Sequence, residues 1–179
     1  MQRTFIIIAL IFICSLTNAQ NKLQEQANAW IELGSLRFFP TKHESGVGVN
    51  ACLKYQKDRL LANLQYHDSY DRDLPNGRLE LLTTSNHYHA LNILGGFTNR
   101  KDRTGHVSAS TGLGVFWGTI YYSSGYKKFS TVSWPVELAM SINIKSFIGL
   151  NFKVFTNLNS QHSFIGFGMD LQLGKLRQI

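Results

Sequence analysis

Apolar residues recur at every second position through most of this chain. Between residues 147 and 158, the even positions include Ile148, Leu150 and Phe152, whereas the odd positions include Gly149 and Asn151. Residues 165–173 repeat the pattern with apolar residues at the odd positions. A strict period of two predicts β-strands that have one apolar face and one face of glycine, amide and charged side chains.

Eight segments follow this rule. They cover residues 29–38, 46–55, 59–67, 87–98, 105–118, 134–144, 147–158 and 165–173. The fourth is the weakest, because Leu94 breaks its alternation, and only residues 21–29 suggest a short helical lead-in. Apolar positions extend over about nine to eleven residues per segment, the length that a tilted strand needs to cross a bilayer.

The connections between these segments alternate in length. Those near residues 56–58, 99–104 and 145–147 are short, whereas residues 39–45, 67–86 and 119–131 form longer loops and residues 159–162 are an exception. The longest connection contains a turn sequence, Leu-Pro-Asn-Gly, at positions 74–77. Short turns at one end and long loops at the other indicate an up-and-down barrel, with both chain ends at the short-turn end.

Two architectures share this alternation. A soluble sandwich or lipocalin-like barrel turns its apolar faces inward, whereas a membrane barrel turns them toward lipid. The polar faces contain mostly glycine, serine, asparagine and alanine and few charges, and such small side chains suit a narrow barrel interior. Aromatic residues on the apolar face favour the membrane barrel too, because they border both ends as an interfacial girdle: Tyr55, Tyr66, Phe97, Trp117 and Trp134.

The first residues predict export. Arg3 provides a positive start, an apolar run extends to Cys14, and a small-residue site ends at Ala19, so we expect a cleaved signal peptide at 1–19 and a barrel domain at 20–179. A retained anchor is the alternative. Cleavage leaves Cys52 alone, which excludes an internal disulfide; we interpret it as a packed small residue, with a reactive thiol as the alternative.

The net charge of +7 lies mostly in short clusters at residues 99–103, 127–128 and 175–177. An exported chain rarely meets nucleic acid, so we expect no nucleic-acid partner. Attraction to anionic lipid head groups and simple solubilisation are the two explanations for this charge.

Few charged residues fall on the predicted lumen face: Glu32, Lys54, Glu137, Lys153 and Asp170. Matching faces across the last two hairpins pairs Ala139 with Lys153 and Lys153 with Gly168, which puts Glu137 and Asp170 diagonal to Lys153. We therefore predict a Glu137–Lys153–Asp170 ion cluster in the lumen, since isolated buried charge is very costly. The cluster is either a structural plug or a gate or proton path.

Enzyme chemistry has little support in the sequence. A lipid-modifying barrel needs a serine, a histidine and usually a carboxylate together near the membrane border. His162 and Ser163 are adjacent and so point to opposite sides of a strand. His87 and His89 share a face, but no third metal ligand is evident nearby. We expect no catalytic residues, metal or other cofactor.

The eight amphipathic segments, the export signal ending at Gln20 and the closing run Gly166–Leu176 resemble small outer-membrane β-barrel proteins of the OmpA-domain and OmpX type. The resemblance covers nearly all of residues 20–179, although the chain ends in Arg177, Gln178 and Ile179 rather than an aromatic residue, and the His-x-Ser spacing of lipid A deacylases is absent. It implies an all-β fold, an eight-stranded antiparallel up-and-down transmembrane barrel in the outer membrane, and a monomer.

We expect a structural or adhesive role, because the tyrosine-rich, charged loops at residues 68–86 and 119–131 suit protein or glycan contacts. The alternatives are a narrow pore, a lipid-modifying enzyme and a soluble secreted barrel that binds an apolar ligand.

Overall fold

The computed structural model describes residues 27–40, 46–71, 86–99, 105–122 and 125–176. The predicted signal peptide, the turn at residues 74–77, the basic residues 100–103 and the three C-terminal residues lie outside these ranges. Within them the chain forms eight strands: β1 Ala27–Pro40, β2 Gly46–Lys57, β3 Leu60–Asp71, β4 His87–Thr98, β5 Gly105–Tyr122, β6 Gly125–Lys145, β7 Ile148–Asn159 and β8 Phe164–Lys175.

The strands close into one barrel in the order of the sequence. Each strand pairs antiparallel with its neighbours, and β1 closes the sheet against β8. The predicted register across the last two hairpins is confirmed, since Ala139 pairs with Lys153 and Lys153 pairs with Gly168. Closure pairs the outer strands β1 and β8, and so the barrel wall has no free edge within the described residues. The predicted eight-stranded up-and-down barrel is therefore correct.

Apolar and polar side chains separate onto the two surfaces of the barrel. Ile93, Leu113 and Val132 are each more than 60% exposed on the outside, whereas Asn92, Asn151 and Gln172 are buried inside. The structure also explains why Leu94 breaks the alternation of the fourth segment, because this apolar residue is buried in the lumen. Within the described part of the chain, no helix has the length and hydropathy needed to cross a bilayer.

Tight connections define one end of the barrel, which we call the turn end. Residues 58–59 join β2 to β3, and residues 146–147 join β6 to β7. Asp58 has a φ of 56°, a left-handed conformation that aspartate tolerates better than most residues, and its carbonyl accepts a hydrogen bond from Gln56 at 2.8 Å. The opposite end, where β2, β4, β6 and β8 begin, is called the loop end.

The predicted loop at residues 119–131 is wrong. The described residues of this range, 119–122 and 125–131, continue β5 and β6 as a paired two-stranded extension, in which Thr119 pairs with Lys128 and Tyr121 with Tyr126. We call residues 119–122 and 125–131 the β5–β6 ribbon. Its tyrosine, threonine and phenylalanine residues favour strands. Most of the ribbon side chains are exposed on both faces, so the sequence lacks the alternation by which the other strands were found.

The lumen differs from the prediction in its apolar content. Seven buried residues cluster inside the barrel toward the loop end: Leu36, Phe38, Tyr88, Ala90, Phe116, Phe155 and Phe164. A smaller cluster of Trp30, Leu61 and Leu176 lies inside the turn end. The interior therefore contains two apolar layers, and the buried charged side chains lie between them.

Candidate functional site

The polar middle of the lumen brings together all five charged side chains predicted to face inward. They come from β1, β2, β6, β7 and β8, and each is at most 3% exposed. Lys153 Nζ lies 3.0 Å from Asp170 Oδ2 and 3.8 Å from Glu137 Oε2. Gly168, opposite Lys153 in the register, leaves room for this long side chain, because a Cβ at Gly168 would lie 2.8 Å from Lys153 Cε.

Lys54 connects this group to Glu32, a link that the sequence did not predict. Lys54 Nζ lies 3.0 Å from Glu32 Oε2 and 2.9 Å from Glu137 Oε1. Strands β2 and β6 are not neighbours in the barrel, so the Lys54–Glu137 pair spans the lumen. Face matching finds only partners on adjacent strands, which is why Lys54 was missed. We call the five residues the lumen charge network.

Neutral donors surround the carboxylates of the lumen charge network. Glu32 accepts hydrogen bonds from Trp30 Nε1 at 2.9 Å, from Gln172 Nε2 at 2.7 Å and from Asn151 Nδ2 at 3.1 Å. Gln65 donates to Glu137. When all five groups are ionised, three carboxylates meet only two ammonium groups. The amide and indole N–H groups therefore stabilise the remaining negative charge in a site that excludes bulk water.

The loop-end aromatic layer encloses the lumen charge network on one side. Phe155 contacts the ring of His67 at a centroid distance of 5.2 Å and that of Phe164 at 5.9 Å. Tyr88 stacks on Phe116 at 5.8 Å and on His162 at 4.7 Å. The sequence contained a signal for this layer, because Phe38, Tyr88, Phe116 and Phe155 all occupy positions of the otherwise polar face near the same end.

The five residues predicted as an interfacial girdle all face outward. Tyr55 and Phe97 lie toward the turn end, and Tyr66, Trp117 and Trp134 toward the loop end. Trp134 Nε1 donates to Thr111 Oγ1 at 2.7 Å, which fixes the indole on the surface.

A cluster on the outer surface corrects the interpretation of His87 and His89. The sequence showed no third ligand near them, but Asp68 of β3 pairs with His89 in the register. Asp68 Oδ1 lies 2.6 Å from His87 Nε2 and 3.6 Å from His89 Nδ1. The sequence could not reveal this partner, because the long connection between β3 and β4 leaves their register undetermined.

Two other residues considered in the sequence analysis, Cys52 and Ser163, make local hydrogen bonds. Cys52 is buried, and its Sγ donates to Asn63 Oδ1 at 2.6 Å. The Ser163 hydroxyl donates to the carbonyl of Asn159 at 2.8 Å and accepts from the Asn159 N–H at 2.9 Å. Ser163 thus ties the β7–β8 connection together, a structural role for this hydroxyl.

The fold places the chain in the class of small eight-stranded barrels found in bacterial outer-membrane proteins. No protein-family model matches the sequence, and no curated protein matches it. Several solved structures do match. Ail, the attachment invasion locus protein of Yersinia pestis, solved in complex with the heparin analogue sucrose octasulfate, has a TM-score of 0.61 at 10% identity and covers 83% of this chain and 99% of its own.

Two further structures give the same result. Neisserial surface protein A has a TM-score of 0.60 at 7% identity, over 83% of this chain and 96% of its own. The N-terminal β-barrel domain of OprF from Pseudomonas aeruginosa has a TM-score of 0.55 at 11% identity, over 83% of this chain and 100% of its own. At sequence identities this low, the similarity to these structures shows the fold alone.

Proposed function

We propose that this chain is a monomeric outer-membrane protein, exported by its N-terminal signal, whose closed barrel supports surface contacts at the loop end. The observation that carries the proposal is the separation of surfaces, with an apolar belt outside and a paired charge network inside. Strand β7, with 12 residues, is long enough to cross a bilayer at a tilt. The turn end is then periplasmic and the loop end extracellular.

The lumen charge network acts as a plug in this proposal. Ion pairs and amide hydrogen bonds join opposite walls of the barrel, and apolar layers lie above and below them. An eight-stranded barrel has an interior that side chains can fill. A structural role for the lumen charge network is therefore favoured over a gate or a proton path.

The β5–β6 ribbon is the surface that we propose for contacts, and a polyanionic glycan is the partner. Tyr126, Lys127 and Lys128 are exposed on it. Lys128 Nζ lies 5.9 Å from the centre of the Tyr126 ring, and the rings of Tyr121 and Tyr126 are 6.1 Å apart. Aromatic rings beside ammonium groups suit a sugar that carries sulfate or carboxylate groups. The similar fold of Ail, solved with a heparin analogue, adds support.

Heparin binding tests the ribbon. At about 0.2–1 kcal/mol per exposed ion pair, the change of Lys127 and Lys128 to glutamine should weaken heparin binding by up to about thirtyfold. Affinity should also fall with added salt, because exposed charges are screened. The matched control is Lys145→Gln, an exposed lysine at the turn end. Equal binding by the double variant and wild type would refute the role of the ribbon.

Fractionation tests the membrane location. The mature protein should sediment with outer membranes and need detergent for release. Recovery in the detergent-free periplasmic fraction would favour the soluble secreted barrel instead.

A further inference from the structure

The cluster of Asp68, His87 and His89, which we call the outer histidine cluster, lies where the apolar belt ends. In the register across β3 to β6, one outward row is Tyr66, Leu91, Val115 and Val132, and the next row toward the loop end is Asp68, His89, Trp117 and Ser130. His87 begins β4 one step further along. The surface therefore changes within one row from apolar to polar side chains.

Three different ligand atoms converge in this cluster. Asp68 Oδ1, His87 Nε2 and His89 Nδ1 all lie within 4.8 Å of one another. Ligand bonds of about 2.0–2.2 Å put the donor atoms of a tetrahedral zinc ion roughly 3.3 Å apart. The observed separations of 2.6 Å and 3.6 Å bracket this value. The two histidine nitrogens lie within 4.8 Å of each other, so side-chain rotations have to complete the arrangement around one ion.

The neighbouring aromatic residues hold His89 in place for such a role. The His89 ring packs against both Tyr66 and Trp117, at centroid distances of 6.2 Å and 5.4 Å, and these two rings also contact each other at 6.5 Å. The Tyr66 hydroxyl is 3.0 Å from His89 Nδ1. A metal ion at Nδ1 would take the lone pair of this nitrogen, so the Tyr66 hydroxyl has to give up this contact when the ion binds.

We propose that Asp68, His87 and His89 bind a divalent transition-metal ion of the zinc type on the outer surface, linking β3 to β4 at the loop end. Two imidazoles and one carboxylate suit zinc or copper rather than calcium or magnesium, which prefer oxygen ligands. Three protein ligands leave a fourth position open to water or to an external ligand. The site shares no residue with the lumen charge network, and it adjoins the β5–β6 ribbon, because His87 pairs with Thr119.

Calorimetry with ZnCl2 on the folded, detergent-solubilised protein tests the site. We expect one ion per chain with a Kd of about 10 µM or tighter. His87→Gln and His89→Gln should each weaken binding by at least about tenfold. His106→Gln, a histidine at the turn end, is the matched control and should bind as wild type does. Magnesium should give no saturable signal at the same concentration.

Tryptophan fluorescence provides a readout of location. Cu²⁺ bound to His89 should quench Trp117, because their rings are in contact, and Trp117→Phe should remove most of the quenching. Folding of each variant is checked by gel mobility, which changes on boiling only if the barrel was folded. If a histidine variant fails this check, the isosteric Asp68→Asn variant is tested in its place. Absence of saturable zinc binding to wild type would overturn the proposal. So would full binding by folded variants of the cluster.

Discussion

Lys54→Met removes the cation that joins the two halves of the lumen charge network. Lys54 contacts Glu32 at 3.0 Å and Glu137 at 2.9 Å, and all three side chains are nearly inaccessible to solvent. Methionine has a similar length and fills the same space, so the change removes charge with little loss of packing. The remaining network then has three carboxylates and only the ammonium group of Lys153.

The cost of this change can be bounded in two ways. Removal of one partner from a buried ion pair typically destabilises a protein by about 3–5 kcal/mol. Alternatively, one carboxyl group of the network can take up a proton, which removes the additional negative charge. For a carboxyl with the ordinary pKa near 4.3, that costs about 3.7 kcal/mol at pH 7, at 1.36 kcal/mol per pH unit. Both routes predict a loss of about 3–4 kcal/mol in the free energy of unfolding.

The second route makes the loss depend on pH. The direction of this pH dependence follows from proton binding. Because the folded variant holds a proton that the unfolded chain has released at neutral pH, lower pH favours the folded variant. The cost of protonation falls to about 1 kcal/mol at pH 5. The difference between Lys54→Met and wild type should therefore shrink as the pH falls from 7 to 5.

Urea unfolding in lipid vesicles, followed by tryptophan fluorescence, measures these values. Lys57→Met, an exposed lysine on the same strand, is the control and should change stability by less than about 0.5 kcal/mol. Adding Glu32→Gln to Lys54→Met restores the original excess of one negative charge, so the double variant should be more stable than Lys54→Met alone. A loss below 1 kcal/mol for Lys54→Met, or purely additive losses in the double variant, would refute the reasoning.

The remaining predictions concern the two surfaces of the barrel. Planar-bilayer recordings of wild type should show no sustained open steps if the lumen charge network acts as the proposed plug; sustained steps would favour the narrow pore. In a cysteine scan, Val154→Cys should react with a lipid-soluble maleimide, since Val154 faces outward. Lys153→Cys faces the lumen and should not react with this reagent; the reverse pattern would invert the assignment of the two faces.

Much of the site geometry followed from alternation and hairpin register. The faces of Glu137, Lys153 and Asp170 came from counting positions by two, and short turns made the pairing of β6, β7 and β8 predictable. Residues on adjacent strands joined by a short turn are close in space for local reasons. The same reasoning placed Tyr55, Tyr66 and Trp134 on the outer face.

Contacts between distant strands required the closed structure. Lys54 and Glu137 are separated by 83 positions and meet only because the barrel brings β2 and β6 to opposite walls of a narrow lumen. Asp68 contacts His87, but the long connection between β3 and β4 leaves the register of these two strands undetermined by the sequence. The β5–β6 ribbon was missed because both of its faces leave the barrel, which removes the apolar period.

The sequence by itself determined the position of most strands and which face of each strand is apolar, because burial on one side of a strand imposes a period of two on the residues. Only the tertiary structure decided which charges meet across the lumen and which histidines lie beside a carboxylate. Those contacts depend on barrel closure and on strand register, which are properties of the whole sheet and leave no periodic trace in the chain.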